Sequence, residues 1–362
     1  MQPTIPFATI EELAAFDTLI DVRSPAEFAV DHIPGAMSFP VLDDVERAHV
    51  GTVFHQVSPF AARRFGAVLV ARNIARHLEN GFANRPKQWK PLVYCWRGGQ
   101  RSAAMVLVLT QVGWPARQLR GGYKNYRRRV IADLEELPPR CRFVVLHGPT
   151  GSGKTALLEA LVASGGQVLD LENLAQHKGS VLGEAPPCGE AAAHLQPSQK
   201  AFETQIWQAL RGFDRQRPVY VESESRRIGK LSIPSALFDT LIASPCVRLV
   251  APLQARVAHL LERYESIYRQ PDWLRNRLEY FVSHYGRKRV EEWRQLLDAG
   301  RWAELAEAIV RNHYDPAYRR GGDSLYQQAR SAQVLEFPIL NRDAMMQAAR
   351  VLLDGCGKQH VK

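Results

Sequence analysis

The stretch that decides the fold is FVVLHGPTGSGKT, residues 143–155. Its apolar run breaks into glycines and then a lysine and a threonine, which predicts a buried strand, a phosphate-binding loop and a helix over residues 156–163. In the pattern G-x-x-x-x-G-K-[ST], backbone N–H groups surround a phosphate, the lysine reaches it, and the threonine can bind a metal ion. The positive end of the helix favours the same anion, so the expected ligand is a di- or triphosphate. The predicted phosphate-binding residues are Gly148, Gly151, Ser152, Gly153, Lys154 and Thr155.

Length and charge set the next expectations. A chain of 362 residues exceeds what one hydrophobic core usually serves, so we expect two domains. The formal net charge of +10 favours a polyanionic partner, and it does not separate RNA from DNA or an anionic membrane. A basic enzyme without such a partner is the simpler alternative.

The cysteines and the N-terminus indicate the compartment. There is no C-x-x-C pair and the count is odd, which argues against a zinc site and against a disulfide framework. The five cysteines are Cys95, Cys141, Cys188, Cys246 and Cys356. With no basic-then-apolar leader and no run of eighteen apolar residues, we expect a cytoplasmic protein without a membrane span.

The first part of the chain alternates apolar segments with helical patterns, which predicts an α/β layer. One short strand, residues 18–22, ends at Asp21 and Arg23. Another, residues 91–94, ends at the loop CWRGGQRS, residues 95–102, before a helical run. Loop N–H groups with Arg97 or Arg101 are typical of an environment that stabilises a thiolate and makes Cys95 a nucleophile. The alternative is a buried, inert cysteine. The candidate catalytic residues are Cys95, Arg97, Arg101 and Asp21.

In the second part, acids stand at the ends of two further predicted strands. The strand over residues 167–172 ends in Asp170 and Glu172, and the strand over residues 217–222 leads into Glu222 and Glu224. Ligands gather at such strand ends. Glu222, together with Thr155, is a candidate for holding Mg²⁺, although one acid of the Glu222 and Glu224 pair can be purely structural.

Two basic stretches are candidates for RNA binding. Residues 117–129 contain six Lys or Arg side chains and no acid, with Tyr123 and Tyr126 between them, which suits a grip on phosphates and the stacking of a base. A solvated helix face explains the same pattern equally well. Residues 263–294 mix basic and aromatic side chains, and we expect most of those aromatics to be core. The candidate RNA-binding residues are Arg127, Arg128, Arg129, Arg263 and Arg275.

The proline pair after Leu137 predicts the domain boundary. We therefore expect a first domain over residues 1–137, including the basic helix, and a second over residues 138–362. The second is predicted to be a P-loop kinase-like parallel sheet with extra C-terminal helices. Neither composition nor spacing assigns a role to the cluster HYDPAY, residues 313–318.

Three segments of the first domain resemble the rhodanese family. They are DVR at residues 21–23, HIPGA at residues 32–36, and the loop around Cys95. The resemblance covers about the first 130 residues and implies a fold in which the loop cysteine carries sulfur. The sequence of that loop, together with the phosphate loop that follows it, resembles the tRNA 2-selenouridine synthase family. This second resemblance spans the whole chain.

That second resemblance implies an exchange of sulfur for selenium at C2 of the wobble 2-thiouridine of certain tRNAs. It implies two steps: geranylation of the sulfur from geranyl diphosphate, then replacement of the geranylated sulfur by selenium from selenophosphate, which its own synthetase delivers. No tightly bound cofactor is expected, and Mg²⁺ is a candidate ion at Thr155 and Glu222. The alternative from residues alone is a P-loop kinase or ATPase joined to a rhodanese sulfurtransferase domain, acting on RNA or a small molecule, and a binding-only scaffold is a weaker one.

Overall fold

The computed structural model describes residues 5–179, 182–183, 196–322 and 325–357. Cys188 lies outside these ranges. The chain divides into two compact units, residues 1–133 and residues 134–362, with the division inside the last turns of one helix. The boundary expected at residue 137 lies at the end of that same helix.

The first unit is a five-stranded parallel sheet in the order β1-β5-β4-β2-β3. Its strands are β1 Phe7–Ala8, β2 Thr18–Asp21, β3 Ala36–Ser38, β4 Pro91–Tyr94 and β5 Arg117–Leu119. Its helices are α1 Pro25–Val30, α2 Asp44–Gln56, α3 Pro59–His77, α4 Gln100–Val112 and α5 Gly122–Glu136. The two strands at residues 18–22 and 91–94 were expected from sequence, whereas the short strands β1 and β5 were not.

The register of the strands brings residues at their carboxyl ends together at one edge of the first sheet. Asp21 pairs with Tyr94 across β2 and β4, and Val93 pairs with Gln118 across β4 and β5. Because the strands are parallel, their carboxyl ends lie at one edge of the sheet, where the Cys95 loop begins. The core beneath this edge contains Ile20 and Val93, both fully buried.

The second unit is also built on a five-stranded parallel sheet, in the order β12-β11-β6-β8-β7. Its strands are β6 Arg142–His147, β7 Gln167–Leu169, β8 Pro218–Glu222, β11 Cys246–Val250 and β12 Gln333–Glu336. A separate antiparallel pair consists of β9 Arg227–Ile228 and β10 Leu231–Ser232. The α/β class with parallel sheets is therefore confirmed in both units.

Helices cover the second sheet and extend beyond it. Those that follow the strands are α6 Lys154–Ala163, α7 Leu171–Ala175, α8 Gln199–Gly212, α9 Ser235–Ala243 and α10 Leu253–Arg263. The C-terminal group is α11 Glu265–Tyr268, α12 Pro271–Leu278, α13 Val282–Asp298, α14 Trp302–Ile309, α15 Asp315–Ala317 and α16 Arg342–Gly357. This group contains its own apolar cluster, which includes Phe281 and Trp293. None of the helices in the described ranges is long and apolar enough to traverse a bilayer.

The second strand of this unit is shorter than the sequence pattern indicates. It ends at Leu169 rather than continuing to Glu172. The reason is local: the Asp170 carboxylate accepts the backbone N–H of Asn173 at 2.9 Å, which caps a new helix and stops the strand. Glu172 therefore lies in the first turn of α7.

Candidate functional site

The predicted phosphate-binding residues lie in the turn after β6 and in the first turn of α6, and they line one cavity of about 840 Å³. Gly153 stands at φ +89°, a left-handed conformation that favours glycine. The Lys154 ammonium donates to the Gly148 carbonyl at 2.8 Å, so the lysine side chain lies over the loop. Asp170, Glu172, Glu224 and Arg263 line the same cavity.

A partly buried ion pair holds a buried arginine against this loop. Arg256 donates through Nε to the Thr150 carbonyl at 2.9 Å, and it also pairs with Asp315 at 2.6 Å. Arg256 is 5% exposed. The HYDPAY cluster, which composition could not interpret, thus supplies the carboxylate that holds the arginine against the phosphate loop.

The acids at the strand ends meet beside Thr155. The Thr155 hydroxyl lies 3.5 Å from Glu172 Oε2, and the Glu172 backbone N–H donates to Glu222 Oε1 at 2.8 Å. Glu222 is 1% exposed, and it is absent from the cavity lining that contains Glu224. Glu172 and Glu224 are hydrogen-bonded through their side chains.

Burial dominates the electrostatics of these carboxyl groups. It raises the pKa of Glu224 to about 8, with repulsion from Glu172 as the next cause. Burial likewise raises the pKa of Glu222 well above its usual range and, to a smaller extent, raises the pKa of Asp170 and of Glu172. At neutral pH, Glu224 therefore holds the proton of its hydrogen bond with Glu172.

The residues at Thr155 suit a magnesium ion held jointly by the protein and a bound diphosphate. Mg²⁺ is usually bound by one or two carboxylates with substrate phosphates and waters. The carboxylate within reach of Thr155 is Glu172, whereas the sequence pointed to Glu222. No group of three His, Cys, Asp or Glu side chains in the described ranges is arranged to hold a metal ion.

The cysteine of the first unit lies in a loop that surrounds its sulfur with donors. Cys95 is 3% exposed, and its Sγ accepts the Gly99 N–H at 3.3 Å and the Ser102 hydroxyl at 3.1 Å. Gln118 on β5 donates through Nε2 to the Ser102 oxygen at 2.7 Å. Gln118 was missed because only the register of β5 against β4 brings it to this loop.

Arg101 and Arg97 differ in their surroundings. Arg101 pairs with Glu27 at 2.8 Å, so a carboxylate offsets its charge. Arg97 is exposed and, with Lys124 and Arg128 of α5, lines a surface recess. These three side chains carry no ion pair within the part of the chain that the structure describes.

Asp21, predicted as catalytic, makes its contacts with a neighbouring arginine. Asp21 and Arg23 form a bidentate pair with a shortest distance of 2.6 Å, and both side chains are almost completely buried. Arg23 also donates to the Asp31 carbonyl at 2.7 Å and lies 4.0 Å from the Tyr123 ring centre. These contacts hold Asp21 buried and paired beside the strand end, and its catalytic role stays a prediction.

The candidate RNA-binding residues are distributed unevenly. On α5, both Arg128 and Arg129 are exposed, and Arg129 pairs with Asp133 at 2.8 Å, whereas Arg128 has no ion pair in the described ranges. Arg263 pairs with Glu159 at 2.8 Å, and Arg275 pairs with Asp298.

Most aromatics of the two basic stretches are buried or partly buried. Tyr123 and Tyr126 are 1% and 0% exposed, so they do not present a face to a base. Phe281 and Trp293 are core, as expected, whereas Tyr280 is 60% exposed.

Each of the two units matches the model of a known protein family. The model described as "tRNA 2-selenouridine synthase AAA domain" matches residues 141–297, and the rhodanese-like domain model matches residues 8–129. The expected rhodanese resemblance of the first part is thereby confirmed.

Several curated relatives match most of the chain. A tRNA 2-selenouridine synthase of Nitrosomonas europaea is 35% identical, covering 72% of this chain and 67% of the relative. The one of Aeromonas salmonicida is 37% identical, covering 68% of this chain and 64% of the relative. The one of Hahella chejuensis is 33% identical, covering 83% of this chain and 80% of the relative. The matched length and identity, together with the two domain models, show that this chain belongs to the tRNA 2-selenouridine synthase family.

Proposed function

We propose that this protein replaces sulfur by selenium at C2 of the wobble 2-thiouridine of tRNA. The relatives named tRNA 2-selenouridine synthase support the overall reaction. The observation that carries the proposal is that one chain combines a phosphate loop facing an 840 Å³ cavity with a cysteine loop whose sulfur accepts two hydrogen bonds.

In the first step, the thiouridine sulfur forms a bond to C1 of geranyl diphosphate. The allylic C–O bond breaks, diphosphate leaves with the electron pair, and the base loses its N3 proton. The phosphate loop and Lys154 stabilise the negative charge that develops on the leaving group. Mg²⁺ bound at Thr155 and Glu172 would supply further charge neutralisation.

In the second step, selenium from selenophosphate attacks C2 and the geranyl thiolate leaves, because an alkylated sulfur departs more readily than a thiocarbonyl sulfur. The thiolate takes a proton, and water cleaves the selenium–phosphorus bond to release phosphate. We assign this step to the Cys95 loop. The cations Arg97, Lys124 and Arg128 beside that loop provide positive charge for the anionic donor or the tRNA backbone. A selenophosphate synthetase would be the supplier of the donor.

The test is nucleoside mass spectrometry after incubating the purified chain with 2-thiouridine tRNA, geranyl diphosphate and selenophosphate. We expect 2-selenouridine to appear without ATP, and geranylated thiouridine to accumulate when selenophosphate is omitted. Strong ATP turnover with unchanged tRNA would instead support a P-loop kinase or ATPase.

A further inference from the structure

A second, smaller chamber adjoins the phosphate cavity. Its volume is about 70 Å³, and it shares Thr150, Leu260, Tyr264 and Tyr314 with the lining of the larger cavity. Thr150 belongs to the phosphate loop itself. The chamber therefore begins where a ligand held by that loop would project its remaining part.

The walls of the chamber come from the C-terminal helices and are apolar. Ile267, Leu274, Leu305 and Ile309 are between 2% and 5% exposed and belong to the apolar cluster of these helices. No charged side chain occurs among the described residues that line the chamber. A polar group placed there would lose its hydrogen bonds to water without adequate replacement, whereas a hydrocarbon would not.

We infer that this chamber binds the distal end of the hydrocarbon chain of an allylic diphosphate whose diphosphate lies on the phosphate loop. The inference rests on the proposed function and deepens it by assigning chain-length selectivity to α11, α12 and α14. A nucleotide base fits less well, because its edge needs several hydrogen-bond partners. The continuous lining from Thr150 to Ile309 is what a ligand with one anionic and one hydrocarbon end requires.

The size of the chamber predicts which part of the ligand enters it. A cavity of about 150 Å³ lined by aliphatic side chains holds one benzene. A chamber of about 70 Å³ therefore accepts the terminal carbons of a ten-carbon chain and leaves the first isoprene unit in the larger cavity. Each methylene group buried there should improve affinity about fourfold.

Ala306 on α14 allows a direct test, because it is a small residue in the chamber wall. Calorimetric titrations would compare inorganic diphosphate, dimethylallyl diphosphate and geranyl diphosphate. For the unaltered protein, we expect geranyl diphosphate to bind at least tenfold more tightly than dimethylallyl diphosphate. Ala306→Leu should reduce that ratio to threefold or less, with the affinity for inorganic diphosphate unchanged.

The matched control is Ala303→Leu, which makes the same change at an exposed position of the same helix, outside the chamber lining. This variant should keep the ratio of geranyl to dimethylallyl diphosphate affinity that the unaltered protein has. If Ala306→Leu does not fold, Trp302→Phe enlarges the chamber instead, and it should improve binding of farnesyl diphosphate relative to geranyl diphosphate. Thermal melts followed by circular dichroism verify folding.

The outcomes separate the chamber from the chemistry. Two results would overturn the inference even if tRNA is modified. One is that folded Ala306→Leu keeps the ratio of the affinities for geranyl diphosphate and dimethylallyl diphosphate. The other is that the unaltered protein binds geranyl diphosphate and inorganic diphosphate equally tightly. Tight, chamber-dependent binding of geranyl diphosphate without alkylation of tRNA would support the chamber and refute the proposed function.

Discussion

Glu224 is the residue whose environment predicts a pH effect on stability. Burial, then repulsion from Glu172, raises the pKa of Glu224 to about 8, above its value in an unfolded chain. Between about pH 4.5 and pH 8 the folded protein keeps a proton that the unfolded chain has lost, so stability falls as the pH rises through this window. Glu224→Gln keeps the shape of the side chain and removes the titration. It should raise the melting temperature at pH 8.5 by several degrees, with a smaller gain at pH 5.

The measurement is a series of thermal melts of both proteins from pH 5 to pH 8.5. A melting-temperature difference that does not grow with pH would contradict the assignment of the raised pKa to Glu224. Asp239→Asn is a suitable control, because this exposed acid lies outside the acidic cluster and should leave the pH profile unchanged.

Gly122 is the residue on which the shape of the Cys95 loop depends. A Cβ atom there would lie 2.3 Å from the Cys95 carbonyl oxygen and 2.5 Å from the Gly98 nitrogen, both of which are backbone atoms. Gly122→Ala should therefore displace the loop and lower selenium installation at least tenfold. Gly113→Ala is the matched control: it also has a positive φ, of +108°, but no neighbour within 4 Å.

Both glycine variants should lose about 1–2 kcal/mol of stability from the left-handed conformation alone. Only Gly122→Ala should also lose selenation of tRNA that already carries the geranyl group. Equal selenation rates for the two variants would show that the loop tolerates the displacement.

At the scale of one element, α5 presents a basic face that the structure divides into paired and unpaired cations. Lys124 and Arg128 are exposed and carry no ion pair within the described ranges, whereas Asp133 offsets Arg129. Replacing Lys124 and Arg128 by alanine should lower the slope of log affinity for tRNA against log salt by about 1.4–1.8, near 0.7–0.9 per lost phosphate contact. Arg129→Ala should change the slope much less.

The slope is measured by filter binding or fluorescence anisotropy across a salt series. If the double variant has the same slope of log affinity against log salt as the unaltered protein, the tRNA backbone binds on another surface. A large effect of Arg129→Ala alone would show that its ion pair with Asp133 opens when tRNA binds.

At the scale of the whole molecule, the two proposed steps belong to different compact units, with Cys95 in residues 1–133 and Lys154 in residues 134–362. Lys154→Ala should lower geranylation roughly a hundredfold, because it removes the charge partner of the departing diphosphate. Given tRNA that already carries the geranyl group, the same protein should still install selenium. Cys95→Ala should form geranylated thiouridine and accumulate it, because the loop to which the second step is assigned is arranged around the Cys95 sulfur through Gly99 and Ser102.

Mass spectrometry of nucleosides from these two reactions checks the division of labour. Loss of both steps in both properly folded variants would contradict it and would favour one composite site. Thermal melts establish that each variant is folded before its activity is interpreted.

Short-range patterns alone predicted the α/β class, the phosphate loop and the Cys95 loop. The reason is that each of these depends on neighbours within about ten residues. The spacing of Gly148, Gly153 and Lys154 specifies a turn that wraps an anion, and a Val/Leu run specifies the strand before it. The acids after β7 and β8 were also predicted as strand-end residues, although the cap formed by Asp170 ends β7 three residues early.

Only the tertiary structure decided which side chains meet. Glu172 is joined to Glu222 across 50 residues, Arg101 to Glu27 across 74, and Arg256 to Asp315 across 59. Strand register, helix packing and burial set these pairings. No sequence pattern near Arg101 or Glu224 therefore predicts the offset charge of Arg101 or the raised pKa of Glu224. The apolar chamber is likewise formed by residues that are distant in sequence. Burial keeps Glu224 protonated at neutral pH, and sequence spacing does not record the desolvation that causes this.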